Sequence, residues 1–311
     1  MDRLHWPDAV QRTVLVACSG GADSLALAAA TGFTAPRLGL CAGAVVVDHG
    51  LQPDSADVAG TAADQARGLG LHPVLVRRVQ VTGPGGPEAA ARRARYRALR
   101  QAAADTGAGW VLLGHTRDDQ AETVLLGLGR GSGPRSVAGM RPVDPPWLRP
   151  LLGVGRDDTA AACSAAGLTP WRDPHNVDAR FTRVRLRREV LPLLEEVLGG
   201  GVAGALARTA ALLREDLDAL DARAAGLVDE LAIGGVTGPA LPTGEVAGLP
   251  AALRGRVLRG WLATAGVSGL TSAHLRAVSA LVVDWHGQGP VGLPGGWRAF
   301  RRDGQLRVAR P

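Results

Sequence analysis

The sequence predicts an α/β protein: a parallel sheet with helices on both faces, followed by a smaller, mainly helical C-terminal domain. Three observations carry this. Four short β-branched runs alternate with helix-like stretches in the first third, which is the pattern of βαβ units. A glycine turn, Ser19-Gly20-Gly21-Ala22-Asp23-Ser24, stands between the first apolar run and the first helical stretch. Gly199-Gly200-Gly201 then interrupts the chain before leucines and alanines recur at helical spacing.

In order, the strands are expected at Thr13 to Cys18, Ala42 to Asp48, His72 to Val79 and Trp110 to His115. Helices are expected between them at Ala22 to Gly32, Asp54 to Gly70 and Glu88 to Asp105. Gln120 to Leu128 reads as a fourth helix, ended by the glycine-rich stretch from Gly129 to Pro134. Pro142, Pro145, Pro146 and Pro150 punctuate a loop, Asp157 to Ala166 is helical, and Thr169 to Asp178 is a polar loop. Thr182 to Leu198 is an arginine-rich helix interrupted by Pro192. The glycine triplet places a boundary between domains 1–198 and 199–311. Beyond it come a long helix from Val202 to Leu231, a Gly/Pro hinge from Gly234 to Gly244, and helices at Pro250 to Ala265 and Thr271 to Val283. Leu293 to Trp297 and Arg302 to Gln305 read as hairpin turns between short strands.

Composition bounds the chemistry. The 311 residues carry a net charge of +6, and all 35 basic residues are arginine. Either a polyanionic partner or a GC-rich genome that writes Arg for Lys accounts for this. Without lysine, Schiff bases, pyridoxal-phosphate attachment and a lysine phosphate clamp are excluded. Cys18, Cys41 and Cys163 form no CxxC pair, which argues against a disulfide framework or a zinc ribbon. The start of the chain, Met1 to Arg12, has no apolar core of a signal peptide, and no apolar run is long enough to span a bilayer, so a cytoplasmic protein without membrane contact is expected.

The candidate site gathers where parallel sheets bind ligands, beyond the carboxyl ends of the strands. Ser19 to Ser24 reads as a phosphate cradle, because glycines admit close approach to backbone N–H groups at a helix start. It differs from the common nucleotide loop, which ends in Gly-Lys-Ser/Thr. His115 to Thr123 places Asp119, Glu122 and Thr123 on one face of a helix start, with His115 at the strand end. A carboxylate there serves as helix cap, as Mg²⁺ ligand or as acceptor of a proton from an attacking amine. Asp48 stands at the end of the second strand, suited to a ribose hydroxyl or a metal. Arginines crowd at 92, 93, 95, 97 and 100 and again between Arg172 and Arg188, either as solvated faces or as phosphodiester contacts.

SGGADS resembles the signature of the PP-loop ATP-pyrophosphatases, which have an adenine nucleotide alpha hydrolase-like fold. With VDHGLQPDSADVA, EAAARRARYRALR, GHTRDDQAETVLLGLGRGSG, LRPLL and WRDPHNVDARFTRVRLRREVLP, the chain from about 13 to 198 resembles the short form of the tRNA(Ile)-lysidine synthetases. The resemblance implies a two-step reaction on the CAU-anticodon tRNA(Ile). ATP adenylates the wobble cytidine, releasing pyrophosphate, and free lysine then displaces AMP. Carried onto this sequence, it implies that Ser19, Gly20, Gly21, Ala22, Asp23, Ser24, Asp48 and Gly114 bind ATP and that Asp23 and Asp119 hold Mg²⁺. His115, Asp119 and Asp23 are the implied catalytic groups, and Glu122 with Asp119 is placed to meet lysine. Arg95, Arg130, Arg183 and Arg187 are the implied phosphate and tRNA contacts, and a homodimer is an assembly the family resemblance suggests. Val184, Ser136 and Gln52 depart from residues frequent in that family (Asn, Gly and Arg), which bears on loop geometry and tRNA contacts rather than on the reaction. The nearest other reading, a PP-loop tRNA thiolase, resembles families that use paired cysteines.

Overall fold

In the computed structural model the described residues are 12–84, 86–131, 133–232 and 240–310. The expected N-terminal segment up to residue 11 and residues 234–239 of the expected hinge lie outside them. The first strands and helices alternate as β1 (Thr13–Ala17), α1 (Ala22–Thr34), β2 (Cys41–Asp48), α2 (Ser55–Gly68), β3 (Val74–Arg78), α3 (Gly86–Thr106) and β4 (Trp110–Leu113). Next come α4 (Arg117–Gly129), a single turn α5 (Pro134–Val137), short strands β5 (Val143–Asp144) and β6 (Trp147–Leu148), and α6 (Arg156–Ala165). The sheet order is β3-β2-β1-β4-β6-β5, parallel throughout except for β5.

Alternation along β1 explains the two-sided covering. Val14 and Val16 face α1 and α2 in one core cluster, while Leu15 and Ala17 face Leu99, Ala102 and Ala103 of α3 in another. The chain runs from β1 outward to β3, then returns to place β4 on β1's other side. The carboxyl ends of β1 and β4 therefore flank a topological switch point, where open sheets form their ligand crevice.

The arginine-rich stretch folds as α7 (Thr182–Arg185), a π-helical turn at Leu186–Val190 and α8 (Leu191–Val197). Pro192 falls in the first turn of α8, where its missing N–H costs nothing. The glycine triplet is a sharp turn with all three residues at positive φ (79°, 91° and 74°). Glu195 fastens it by accepting the N–H groups of Val202 and Ala203, both at 3.0 Å, at the start of α9 (Val202–Leu231).

Two compact units, 1–211 and 212–311, meet within α9 rather than at the glycine triplet. In the second unit are β7 (Ala240–Pro242), α10 (Thr243–Gly248), α11 (Ala251–Thr264), α12 (Ser272–Val283), β8 (Val291–Gly292), β9 (Arg298–Arg302) and β10 (Gln305–Ala309). Trp261, Leu258 and Leu281 are fully buried in its own core. Asp303 and Gly304 (φ 50° and 70°) make the two-residue turn between β9 and β10, as Asp-Gly does in tight hairpins. β7 pairs with β10, so the hairpins belong to a four-stranded antiparallel sheet, and the end of the expected hinge is strand.

Candidate active site

The glycine turn is shaped before any ligand arrives. Ser19 N–H donates to Ser24 Oγ at 3.0 Å, and that hydroxyl donates to Gly21 O at 2.9 Å. Gly20 has φ +82°, and a Cβ there would press on Ala62 Cβ at 3.1 Å. No side chain caps α1, which leaves its first N–H groups for an anion. Gly114, just after β4, lets the first turn of α1 lie against that strand's end: a Cβ would sit 3.0 Å from Asp23 O.

Beside this turn, over the ends of β1 and β2, opens a cavity of about 320 Å³. Its lining includes Ser19, Gly21, Asp48, His49, Arg95 and Trp171. Asp48 is buried and accepts the Gly50 N–H at 2.8 Å. Burial pushes the His49 imidazole below its ordinary pKa, and Arg95 adds to the shift. Burial likewise lowers Arg95, which makes no hydrogen bond or ion pair among the described residues. The Nδ1 atoms of His49 and His115 are also buried without a partner. His115 is pushed down to about 3, by burial first, with Asp119 opposing and Arg95 and Arg149 reinforcing. It is a neutral imidazole at neutral pH.

Over the ends of β1 and β4 lies a carboxylate cluster built around a residue the sequence reading missed. Arg156, the first residue of α6, reaches Asp119 Oδ1 at 2.5 Å, Glu122 Oε1 at 3.3 Å and Asp23 Oδ2 at 3.6 Å. Its own backbone N–H donates to Asp118 at 3.0 Å. Glu122 is fully buried and also meets Arg187 Nε at 2.8 Å and Arg183 Nη1 at 3.5 Å. Arg187 stands in the π-helical turn, a form often found at functional sites. Asp119 accepts the Thr116 N–H at 2.8 Å, completing a capping box for α4, so it is helix cap and ion-pair partner at once. Burial pushes Asp119 up, but Arg156, the Thr116 N–H and His115 outweigh it and hold the carboxyl low. Asp23 accepts the Thr159 hydroxyl, and burial leaves its pKa raised despite Thr159 and Arg156.

Two family models match the chain: a PP-loop domain over residues 2–194 and a TilS substrate binding domain over 241–307. A tRNA(Ile)-lysidine synthase of Mycobacterium tuberculosis (strain H37Rv) is 56% identical over 300 residues, covering 95% of this chain and 90% of the relative. The chain belongs to the tRNA(Ile)-lysidine synthase family. The tRNA(Ile)-lysidine synthase of Salinispora tropica is 55% identical over 309 residues, covering 96% and 91% of the two chains. Among solved structures, a U34-tRNA thiolase from Methanococcus maripaludis aligns with a TM-score of 0.55 at 17% identity, over 66% of this chain and 73% of that one. That likeness is one of fold.

Within this lysidine synthase fold, the structure brings Ser19, Gly21, Asp48 and Arg95 to the cavity lining, and Asp23, Asp119, Glu122, Arg183 and Arg187 to the carboxylate cluster. Arg130 is exposed beyond the end of α4 and joins neither group. Of the departures, Val184 is buried and Gln52 donates to Asp173 at 3.4 Å. Ser136 O lies where a Cβ on Gly127 would fall at 2.4 Å, so α5 packs closely on α4. Arg156 had one signal in the sequence: a cation opening a helix opposes the macrodipole, so carboxylates must hold it there.

Proposed function

We propose that this chain ligates lysine to the wobble cytidine of the CAU-anticodon tRNA(Ile), consuming ATP and releasing AMP and pyrophosphate. The observation that carries the reading is the convergence, at one switch point, of a PP-loop and the Asp119/Glu122 pair of α4. Attack on an amide-like carbonyl carbon needs a better leaving group than hydroxide, and adenylation provides one. The uncapped start of α1 binds the phosphates, and Arg95 adds the positive charge that stabilises them. Neutral His115 contributes a hydrogen bond rather than a charge.

Mg²⁺ fits this site with ATP rather than alone. Asp119 already spends Oδ2 on Thr116 and Oδ1 on Arg156, and no three potential ligands cluster among the described residues. Asp23 retains a partly exposed carboxylate and would hold the ion together with ATP phosphates, where it supplies charge neutralisation. Glu122 and Asp119 meet the incoming ammonium by exchanging an arginine partner, and a carboxylate then takes the amine's proton. Arg156 is the natural partner to yield, since among the described residues it alone touches all three acids. Action on free lysine in the cytoplasm belongs to the same reading. Among the described residues, no single helix is long and apolar enough to cross a membrane.

The test is incubation with ATP, Mg²⁺, labelled lysine and the tRNA(Ile) transcript, followed by nucleoside mass analysis. Lysidine, AMP and pyrophosphate are expected, whereas ADP and orthophosphate would refute the assignment. Asp119→Asn is expected to abolish adenylation, and Glu122→Gln to let adenylated tRNA accumulate at low lysine. Equal loss of ATP activation in both variants, with an unchanged lysine response, would overturn this division of roles.

A further inference from the structure

The two arginine-rich segments differ in what their guanidinium groups touch. Between 178 and 189 four of the five arginines are spent on acids, Arg180 on Asp178, Arg185 on Glu189, and Arg183 and Arg187 on Glu122, while Arg188 reaches only the Val177 carbonyl at 3.3 Å. On α3 they are not. Arg92, Arg93, Arg97 and Arg100 are exposed, and none meets a carboxylate among the described residues. Two are pre-ordered on aromatic rings: Arg92 lies 4.9 Å from the Tyr96 centroid and Arg100 lies 5.3 Å from that of Trp147. The two rings pack edge to face, with centroids 4.8 Å apart. Stacking fixes a guanidinium without consuming its charge or all its donors. Arg95, one turn from Arg92 on the same helix, lines the cavity.

We propose that the outer face of α3 is a docking surface for the sugar–phosphate backbone of a structured RNA, leading along the helix to the cavity at Arg95. This rests on the reading of tRNA as substrate and names where its backbone lies. Arg92 and Arg100 are about 12 Å apart along the helix, enough to follow several nucleotides. A lipid surface fits less well, because the apolar face of α3 (Leu99, Ala102, Ala103) is buried in the core and offers nothing to insert.

The test compares two double variants with the same change of net charge. Arg97→Gln/Arg100→Gln removes unpaired arginines, whereas Arg67→Gln/Arg223→Gln removes exposed arginines that are paired with Asp64 and Glu230. Affinity for the unmodified tRNA(Ile) transcript is measured from low to high salt, with thermal melting of each variant as a check on folding. The α3 variant is expected to lose about 1.4 to 1.8 from the log–log salt slope and on the order of tenfold to thirtyfold in affinity at 0.15 M salt. The paired-arginine variant should keep the wild-type slope. Equal slopes for the α3 variant and wild type, or equal losses in both variants, would overturn the proposal. So would binding of phosphatidylserine vesicles that the α3 variant alone loses while its RNA slope stays intact. Failure of the wild type to form lysidine would refute the proposed reaction but leave this comparison of slopes readable.

Discussion

The cavity over β1 and β2 and the carboxylate cluster over β1 and β4 sit side by side on one sheet, yet they are opposites in electrostatic completeness. In the cluster, Asp23, Asp119 and Glu122 face Arg156, Arg183 and Arg187, and every charge has an ion-pair partner, although Glu122 Oε2 has no hydrogen bond and only the longer 3.5 Å contact with Arg183. In the cavity, Arg95 and the Nδ1 atom of His49 have none among the described residues. Unpaired polar groups in a concave site are costly unless a ligand completes them. On the function proposed above, the cavity receives an anion and the cluster exchanges one cation for another.

The largest expected effect separates the two by stability. Glu122→Gln leaves three arginines around a neutral, fully buried amide, and losing one partner of a buried ionic cluster costs about 3–5 kcal/mol. Urea unfolding should show this, and an unchanged midpoint would mean that the cluster contributes nothing to the fold. Arg95→Gln should do the reverse, leaving stability equal or higher while nucleotide affinity falls about tenfold to a hundredfold, the worth of a charge-assisted hydrogen bond. Calorimetric titration with ATP checks it, and a destabilised variant with intact ATP binding would erase the contrast.

A third test uses pH. His115 titrates near 3 in the fold against 6.5 when free, so between these values the unfolded chain binds a proton that the folded chain refuses. Its contribution to stability is complete above about 6.5 and is lost as pH falls, by at most about 1.4 kcal/mol per pH unit. His115→Gln should flatten stability across that window. Asp119, held low partly by His115 itself, acts at the acid end of the same range: its contribution is present above 3.8 and goes only as pH drops through its lowered value. A slope unchanged by His115→Gln would assign the acid sensitivity elsewhere. The smallest effect is expected for Arg67→Gln, which removes one exposed ion pair to Asp64 and should change unfolding free energy by less than about 1 kcal/mol.

Much of the site was legible because its signals are local. A β-branched run, two glycines and an acid in the next helical turn specify strand, cradle and helix within a dozen residues. Asp119 and Glu122 declared their shared face by spacing alone. Arg156 did not, because its partners are 34 to 37 residues away in sequence and over 130 in the case of Asp23. The strand β7 and the one-turn helix α5 were equally hidden: Ala240–Pro242 has no alternation of its own and is a strand only because β10 offers a partner.

The sequence by itself determined the parallel sheet, the glycine turn after its first strand, the family and the lack of any lysine side chain in the protein, since each depends on residue type and short-range period. Only the tertiary structure decided which arginines are free. Arg97 and Arg187 look alike in a charge run, but one is exposed without an acid beside it, while the other lies 2.8 Å from a buried glutamate brought from α4. Charge is a property of the residue. Whether that charge is available to a ligand depends on which carboxylates the fold carries to within a few ångströms of it, and composition holds no record of that distance.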